Sequence, residues 1–140
     1  YIIGDGEKKI FLNNLIKKLN LSENVFLLGH KENVFPYIKS AKAIFSSSLW
    51  EDPGAVMIEA AFCNTLVISS DCMSGPKEFL ENGKAGYLFE NNNIKSLKNS
   101  LDKFFNENLD KKKEKKILAK KNSKKYTIFS HYLALKKIIN

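Results

Sequence analysis

Two glutamates, Glu51 and Glu59, have the residue type and spacing in this sequence that most clearly suggest a chemical use. Glu59 interrupts the almost wholly apolar segment 55–63, where a carboxylate is costly to bury without a partner. This segment is too long and too unbranched for a strand, so we predict a helix that begins near Gly54 or Ala55. Glu51 stands eight residues before Glu59, in the loop that precedes the helix.

The predicted position of Glu59 suggests a nucleotide as the ligand. It lies about one turn inside the helix, on the same face as Ala55. The free backbone N–H groups of the helix start form an anion site above it. A phosphate at the helix start and a hydroxyl-bearing ring one turn deeper would meet both features, and Glu51 would stand beyond the phosphate. Alternatively, Glu59 is a carboxylate at the edge of a half-buried helix and Glu51 is a loop acid favoured by the helix dipole.

The elements around this helix alternate between strand and helix. The strand candidates are residues 1–3, 25–28, 43–45 and 66–68, with a short edge strand before residue 88. Helices are predicted at 7–19, near Pro36, after Pro76, at 94–105 and at 130–139. This alternation indicates a parallel α/β sheet of Rossmann-like type. Ligands of such sheets bind at the carboxyl ends of the strands, where the loops of Glu51 and Asp71 emerge.

The segment from Glu51 to Glu59, E-D-P-G-A-V-M-I-E, resembles the E-x7-E motif of retaining GT-B glycosyltransferases, specifically glycosyltransferase family 4. G-D-G at residues 4–6 and D-C-M-S-G-P-K-E at residues 71–78 resemble two further motifs of the family. Other segments that resemble the family lie at residues 25–29, 37–45, 48–51 and 82–88. The E-x7-E spacing alone is weak, whereas this collinear series over residues 1–105 is specific. The chain is therefore similar to the C-terminal half of a GT-B fold.

The resemblance implies an enzyme that transfers a sugar from a UDP- or GDP-linked donor with retention of configuration, without a metal or a cofactor. Glu51 would be the catalytic carboxylate at the donor sugar, and Glu59 would bind the ribose hydroxyls. The backbone amides of Gly54, Ala55 and Val56 would hold sugar and phosphate charge. The product implied by the family is a cell-surface polysaccharide or a glycolipid.

The resemblance also extends the site to the first turn and the base. Gly4 belongs to the G-D-G turn, although a tight strand-to-helix turn explains this glycine equally well. His30 and Val34 are candidate contacts of the nucleotide base, although His30 by itself fits a surface histidine. We expect residues 1–140 to be a single donor-binding domain with a truncated first strand. The N-terminal acceptor domain of the GT-B fold would be a separate part, without which this domain would be inactive.

Composition excludes several classes of protein. The net charge is +8, and all 23 basic residues are lysines. Arginine, the better reader of base edges and phosphates, is absent, so we expect no nucleic-acid partner. Cys63 and Cys72 have neither metal-ligand spacing nor the number expected of a disulfide scaffold, which favours reduced thiols in a cytoplasmic protein. No apolar run approaches the roughly 20 residues of a membrane span.

The lysine-rich tail, residues 110–125, contains nine lysines. The plainest interpretation is a solvated helix with Ile117 and Leu118 against the core. The second is attraction to anionic lipid head groups, which would make the protein peripheral at the inner face of the membrane. The terminal helix would cross back to the missing domain through four apolar residues: Phe129, Tyr132, Leu133 and Leu135.

Two other classes of protein share this predicted architecture. One is a nucleotide-sugar epimerase of the GT-B fold, for which we would expect more acids and histidines in the cleft than the two histidines here provide. The other is a non-enzymatic, flavodoxin-like binding module, for which we would expect aspartates at the ends of the first strands. The first turn of this sequence carries only Asp5.

Overall fold

The computed structural model describes residues 1–52 and 54–139, so that Pro53 and Asn140 lie outside the described residues. The chain divides into two compact units, Tyr1–Pro36 and Tyr37–Asn140, which are described separately. That residues 1–140 form a single domain stays a prediction.

The first unit is a parallel strand pair joined by one helix. It contains β1 (Ile2–Ile3), α1 (Lys9–Lys18) and β2 (Leu27–Gly29). The first helix is shorter than the predicted 7–19, because residues 7 and 8 belong to a turn that the Lys9 amide closes by donating to the Gly6 carbonyl oxygen. Ile16 is the one buried residue of α1, and Ile10 is exposed.

The second unit is a three-stranded parallel sheet in the order β3-β4-β5, covered by helices. Its strands are β3 (Ala43–Ser46), β4 (Leu66–Ser70) and β5 (Tyr87–Phe89). Its helices are α2 (Phe35–Ser40, which begins in the first unit), α3 (Ala55–Phe62), α4 (Pro76–Phe79), α5 (Ile94–Asn106), α6 (Leu109–Ser123) and α7 (Ile128–Ile139), with a 3₁₀ turn at Lys124–Tyr126.

The middle strand β4 organises this unit. All five of its residues are buried, as expected of a central parallel strand covered on both faces. Leu66 and Ile68 pack with Tyr87, Phe89 and Phe104 in one apolar cluster. The parallel α/β architecture and the Rossmann-like class are confirmed. The predicted end of β4 at residue 68 was wrong, because the next two serines continue the strand.

The helix after the sheet, α5, begins at its predicted first residue, Ile94. Asn93 accepts a hydrogen bond from the backbone N–H of Ser96 and so satisfies one free donor of the first turn. Phe104 of this helix is buried, whereas the neighbouring Phe105 is 69% exposed.

The lysine-rich helix α6 packs on the core through a polar residue. Lys115 is buried and donates a hydrogen bond to the Gly83 carbonyl oxygen at 2.9 Å. Its Nζ lies 3.9 Å from Glu107 Oε2, which accepts a 2.6 Å hydrogen bond from the Tyr87 hydroxyl. Burial lowers the pKa of Lys115, and burial together with Glu107 raises the pKa of Tyr87. The expected core contact of Ile117 was wrong, since this side chain is 59% exposed.

The last helix, α7, begins two residues before its predicted start. None of its described residues is buried, and its apolar side chains such as Phe129 and Tyr132 are exposed. The contact predicted between this helix and another domain stays a prediction. Among the described residues, no helix combines the length and the apolar character that crossing a membrane requires.

Candidate functional site

The candidate site of the second unit lies at the carboxyl ends of β3 and β4. The two strands run parallel, and Ser46 at the end of β3 pairs with Ser69 of β4. The loops that leave these ends therefore emerge at the same edge of the sheet. One of them carries Glu51 and leads into α3, and the other begins with Asp71.

A set of serine hydroxyls positions Glu51. The Ser48 hydroxyl donates a 2.6 Å hydrogen bond to Glu51 Oε1. The backbone carbonyl of Ser48 in turn accepts a 2.6 Å hydrogen bond from the Ser70 hydroxyl, at the end of β4. The hydroxyls of Ser46 and Ser48 are 3.1 Å apart. The half-buried carboxylate of Glu51 is thus fixed to the sheet from one side, and its second oxygen takes no part in these contacts.

The two loops also contact each other. Trp50 and Met73 form an isolated parallel β-bridge, and the Glu51 amide lies 3.4 Å from the Met73 carbonyl oxygen. Asn91, in the loop after β5, reaches the Leu49 carbonyl oxygen at 3.4 Å. Three consecutive loops therefore meet around Glu51 at one edge of the sheet.

The helix that follows Glu51 begins as the sequence predicts. Gly54 is its N-cap residue, and Glu59 lies four positions after Ala55, the first residue of α3. Ala55 and Val56 are exposed, whereas Glu59 is half-buried. Among residues 1–52 and 54–139, the structure gives Glu59 no ion pair, and no side chain caps the start of α3.

The cap residue Gly54 has two reasons to be glycine. Its φ of +87° is left-handed, and a Cβ placed there would collide with the Met57 side chain and lie 3.4 Å from Glu51 Oε2. A larger residue would displace the Met57 side chain and also strain the backbone. Gly83 has a similar φ of +89°, but a Cβ placed there would have no atom within 4 Å. A substitution of Gly83 therefore shows the cost of the backbone strain without a collision.

We predict that Gly54→Ala lowers the free energy of unfolding by about 2 kcal/mol or more, because backbone strain and a steric collision add. Gly83→Ala should cost only about 1 kcal/mol, because it meets the same backbone strain without the collision. Urea denaturation of the two variants measures this difference. Equal losses would contradict the close packing of Gly54 against Met57 and Glu51.

The Asp71 loop borders a cleft of about 530 Å³. Ser74 and Gly75 both have positive φ, which bends the loop sharply before α4. Lys77 of α4 lies 3.3 Å from Asp71 Oδ2, so a basic group reaches back to the strand end. Cys72 is buried and Cys63 is half-buried, and both are free thiols.

The remaining predicted site residues lie in the first unit. The Gly4 amide donates a 2.9 Å hydrogen bond to the Gly29 carbonyl oxygen, so the first turn and the turn before His30 are adjacent. Gly4 has a φ of +134°, His30 is exposed and Val34 is half-buried. Lys9 pairs with Asp5 at 3.1 Å and, with the Gly6 amide, holds the pKa of that carboxyl below its usual range.

The structure thus brings together Glu51, Gly54, Ala55, Val56 and Glu59 at one strand edge, and groups Gly4 with His30 in the other unit. No cluster of three or more metal-ligating side chains is found in the described part of the chain.

Ser46 and Ser70 are the site residues that the sequence analysis did not identify. Their only signal in the sequence is that hydroxyl residues follow two neighbouring apolar runs, at the strand ends where ligands bind.

Comparison with known proteins identifies relatives over most of the chain. The sequence model of the family described as Glycosyl transferases group 1 matches residues 1–126. An uncharacterized glycosyltransferase of Methanocaldococcus jannaschii is 49% identical over 56% of this chain. The poly(ribitol-phosphate) α-N-acetylglucosaminyltransferase of Staphylococcus aureus is 36% identical over 69% of it. The chain spans only 20% of the length of each of these two relatives.

Solved structures have the same fold. A mutant of S. aureus TarM in complex with fondaparinux, α-GlcNAc-glycerol and UDP matches with a TM-score of 0.86 at 31% identity, over 99% of this chain and 28% of that one. Anabaena HepE in complex with UDP-glucose matches with a TM-score of 0.82 at 22% identity, over 98% of this chain and 39% of that one. At this lower identity the likeness to HepE concerns the fold alone.

Proposed function

The chain belongs to the group 1 family of glycosyltransferases, and we propose that it is the donor-binding part of an enzyme that transfers a sugar from a nucleoside diphosphate sugar. The observation that carries this proposal is the placement of Glu51 and Glu59 around the uncapped start of α3. The backbone N–H groups of this helix start offer hydrogen-bond donors for a diphosphate, and each end of a nucleoside diphosphate sugar would meet one carboxylate.

In this proposal Glu59 accepts hydrogen bonds from the ribose hydroxyls. It is half-buried without an ion pair among the described residues, so its acceptor capacity is free for a ligand. The amides of Gly54, Ala55 and Val56 hold negative charge on the diphosphate and the sugar. That Gly4, His30 and Val34 of the first unit also contact the donor stays a prediction from the resemblance to the family.

Glu51 is proposed to act on the donor sugar. The Ser48 hydroxyl holds Glu51 Oε1 at 2.6 Å and so orients the whole carboxylate. A negative group fixed beside the anomeric carbon stabilises the positive charge that develops on the sugar ring in glycosyl transfer. The donor itself is a substrate, and we propose that the reaction uses neither a metal nor a cofactor.

We propose a UDP-linked donor in preference to a GDP-linked one. The support comes from S. aureus TarM, a structural match at 31% identity that was solved in complex with UDP. The related S. aureus enzyme acts on poly(ribitol-phosphate), and a Campylobacter jejuni relative, 35% identical over 69% of this chain, acts on a diphospho-undecaprenol-linked saccharide. Both support a role in cell-surface polysaccharide or glycolipid synthesis.

Calorimetric titration of UDP, GDP and ADP into the full-length protein tests this proposal. We expect UDP to bind at least about tenfold more tightly than the other two, which corresponds to about 1.4 kcal/mol of base recognition. Titration of the matching sugar-linked nucleotides would then name the donor. If none of the three nucleotides binds, the donor-site proposal is wrong.

A further inference from the structure

A groove of about 740 Å³ lies at the edge of the β3–β5 sheet opposite the candidate donor site. Lys42 directly precedes β3, and Leu66 is the first residue of β4; both line this groove. The Glu51 loop follows the other end of β3. Since the two strands contain four and five residues, roughly 13–17 Å separates the two edges.

One face of α6 forms a wall of this groove. The wall residues follow the helical spacing i, i+3, i+4, i+7, i+8, and they are Leu109, Lys112, Lys113, Lys116 and Ile117. The residues of α6 that pack on the core are different ones, among them Lys115 and Ala119. The groove face of the helix is therefore not needed for packing within this unit.

Large apolar side chains of the groove are open to solvent. Leu109 is 82% exposed, Phe105 is 69% exposed and Ile117 is 59% exposed. Phe104 closes the floor between them, and Lys112 Nζ lies 5.1 Å from the centroid of its ring. Burial of these three side chains would be energetically favourable. An exposed apolar cluster of this kind is typical of a surface that binds an apolar partner.

The charge around these apolar residues has a single sign. The ammonium groups come from Lys42, Lys112, Lys113 and Lys116, and none of the described residues that line the groove is acidic. Within the part of the chain that the structure describes, none of the four lysines forms an ion pair. The groove thus presents an apolar centre surrounded by free positive charge.

We propose that this groove docks on an anionic lipid surface. Phe105, Leu109 and Ile117 enter between the lipid head groups, and the flexible stems of the lysines bring their ammonium groups to the lipid phosphates. Because the groove lies at the amino ends of the strands, docking leaves the loops of Glu51 and Asp71 free for a donor. The lipid-docking proposal does not depend on the donor-site proposal, and either one can be disproved without the other.

The combination of groups favours a lipid surface over other polyanions. A soluble phosphate would use the lysines but not the three exposed apolar side chains. Nucleic-acid interfaces use arginine and stacking aromatic residues, whereas this chain contains no arginine, and two of the three exposed apolar side chains of the groove, Leu109 and Ile117, are aliphatic.

Co-sedimentation of the protein with vesicles tests the proposal. Vesicles of phosphatidylcholine mixed with phosphatidylglycerol should bind the protein, and vesicles of phosphatidylcholine alone should not. Each lysine near an anionic surface strengthens partitioning about fivefold, so Lys112→Gln/Lys113→Gln/Lys116→Gln should lower the partition coefficient on the order of 100-fold. The variant Leu109→Ser/Ile117→Ser should also have a lower partition coefficient. This loss should persist in high salt, because salt does not screen the insertion of apolar side chains.

The matched control is Lys84→Gln/Lys95→Gln/Lys98→Gln, which removes the same charge from exposed positions outside the groove. It should change partitioning less than about fivefold. Equal losses in the two triple variants would overturn the proposal. So would release by millimolar inorganic phosphate, or tighter binding of a single-stranded RNA than of the vesicles. UDP titration of the same variants should be unchanged, which separates this surface from the donor site.

Discussion

Replacing Glu59 with alanine is expected to weaken UDP binding by at least about 100-fold. In the proposed complex, the carboxylate accepts two hydrogen bonds from the ribose hydroxyls. A hydrogen bond to a charged group contributes about 1.5–3 kcal/mol, so the loss of two amounts to about 3 kcal/mol or more. Since each 1.4 kcal/mol is a factor of ten in affinity, the variant should show almost no heat of UDP binding in calorimetric titration.

Stability provides the discriminating measurement for Glu59. This half-buried carboxylate has no ion pair among the described residues, so alanine should leave the free energy of unfolding unchanged or raise it. A residue with only a structural role would show the reverse pattern, with lost stability and retained UDP affinity. Asp102→Ala, an exposed acid of α5, is the control and should alter neither quantity. Unchanged UDP affinity in Glu59→Ala would remove the ribose role.

The part of the site that the sequence predicted correctly depends on local signals. Helix α3 begins at Ala55 and ends at Phe62, close to the prediction, because an unbranched apolar run of this length between two strands leaves few alternatives. The position of Glu59 one turn inside follows from the helix repeat alone. The parallel sheet follows from the alternation of strands and helices.

The parts that could not be predicted depend on contacts between distant residues. Ser70 lies beyond the predicted end of β4, because the apolar run stops at Ile68. In the structure it belongs to β4, because it pairs with Phe89 of β5, and its hydroxyl also donates to the carbonyl of Ser48, 22 residues away. Lys115 looked like any other lysine of a solvated helix. It is buried because the Gly83 carbonyl and Glu107 are placed to compensate its charge, and neither partner is visible in the local pattern.

The error about Ile117 has the same origin. A charged helix with a few apolar residues is normally expected to bury those residues. Here α6 packs through Lys115, Ala119, Asn122 and Ser123, and the Asn122 side chain donates to the Phe79 carbonyl oxygen at 2.9 Å. Polar packing on one face left Ile117 on another, where it became part of the exposed groove.

Replacing Glu51 with glutamine is expected to lower kcat for sugar transfer by about 100- to 1,000-fold, the effect of removing one preorganised electrostatic contact from a transition state. The KM for the donor should change little, because glutamine keeps the shape and the hydrogen bond with Ser48 while losing only the negative charge. Steady-state kinetics of the full-length enzyme measures both quantities. A raised KM with an unchanged kcat would mean that Glu51 binds the sugar without acting on the reaction.

Ser48→Ala separates the charge of Glu51 from its orientation. Ser48 is a positioning residue, because its hydroxyl donates to Glu51 Oε1 at 2.6 Å and so orients the carboxylate. Loss of this hydroxyl leaves the charge of Glu51 in place but frees the carboxylate to rotate. We expect kcat to fall by about tenfold, less than for Glu51→Gln, because a mispositioned charge retains part of its electrostatic effect. The double variant should be no worse than Glu51→Gln alone, since both changes act through one carboxylate. Additive losses would show that Ser48 acts on the reaction independently of Glu51.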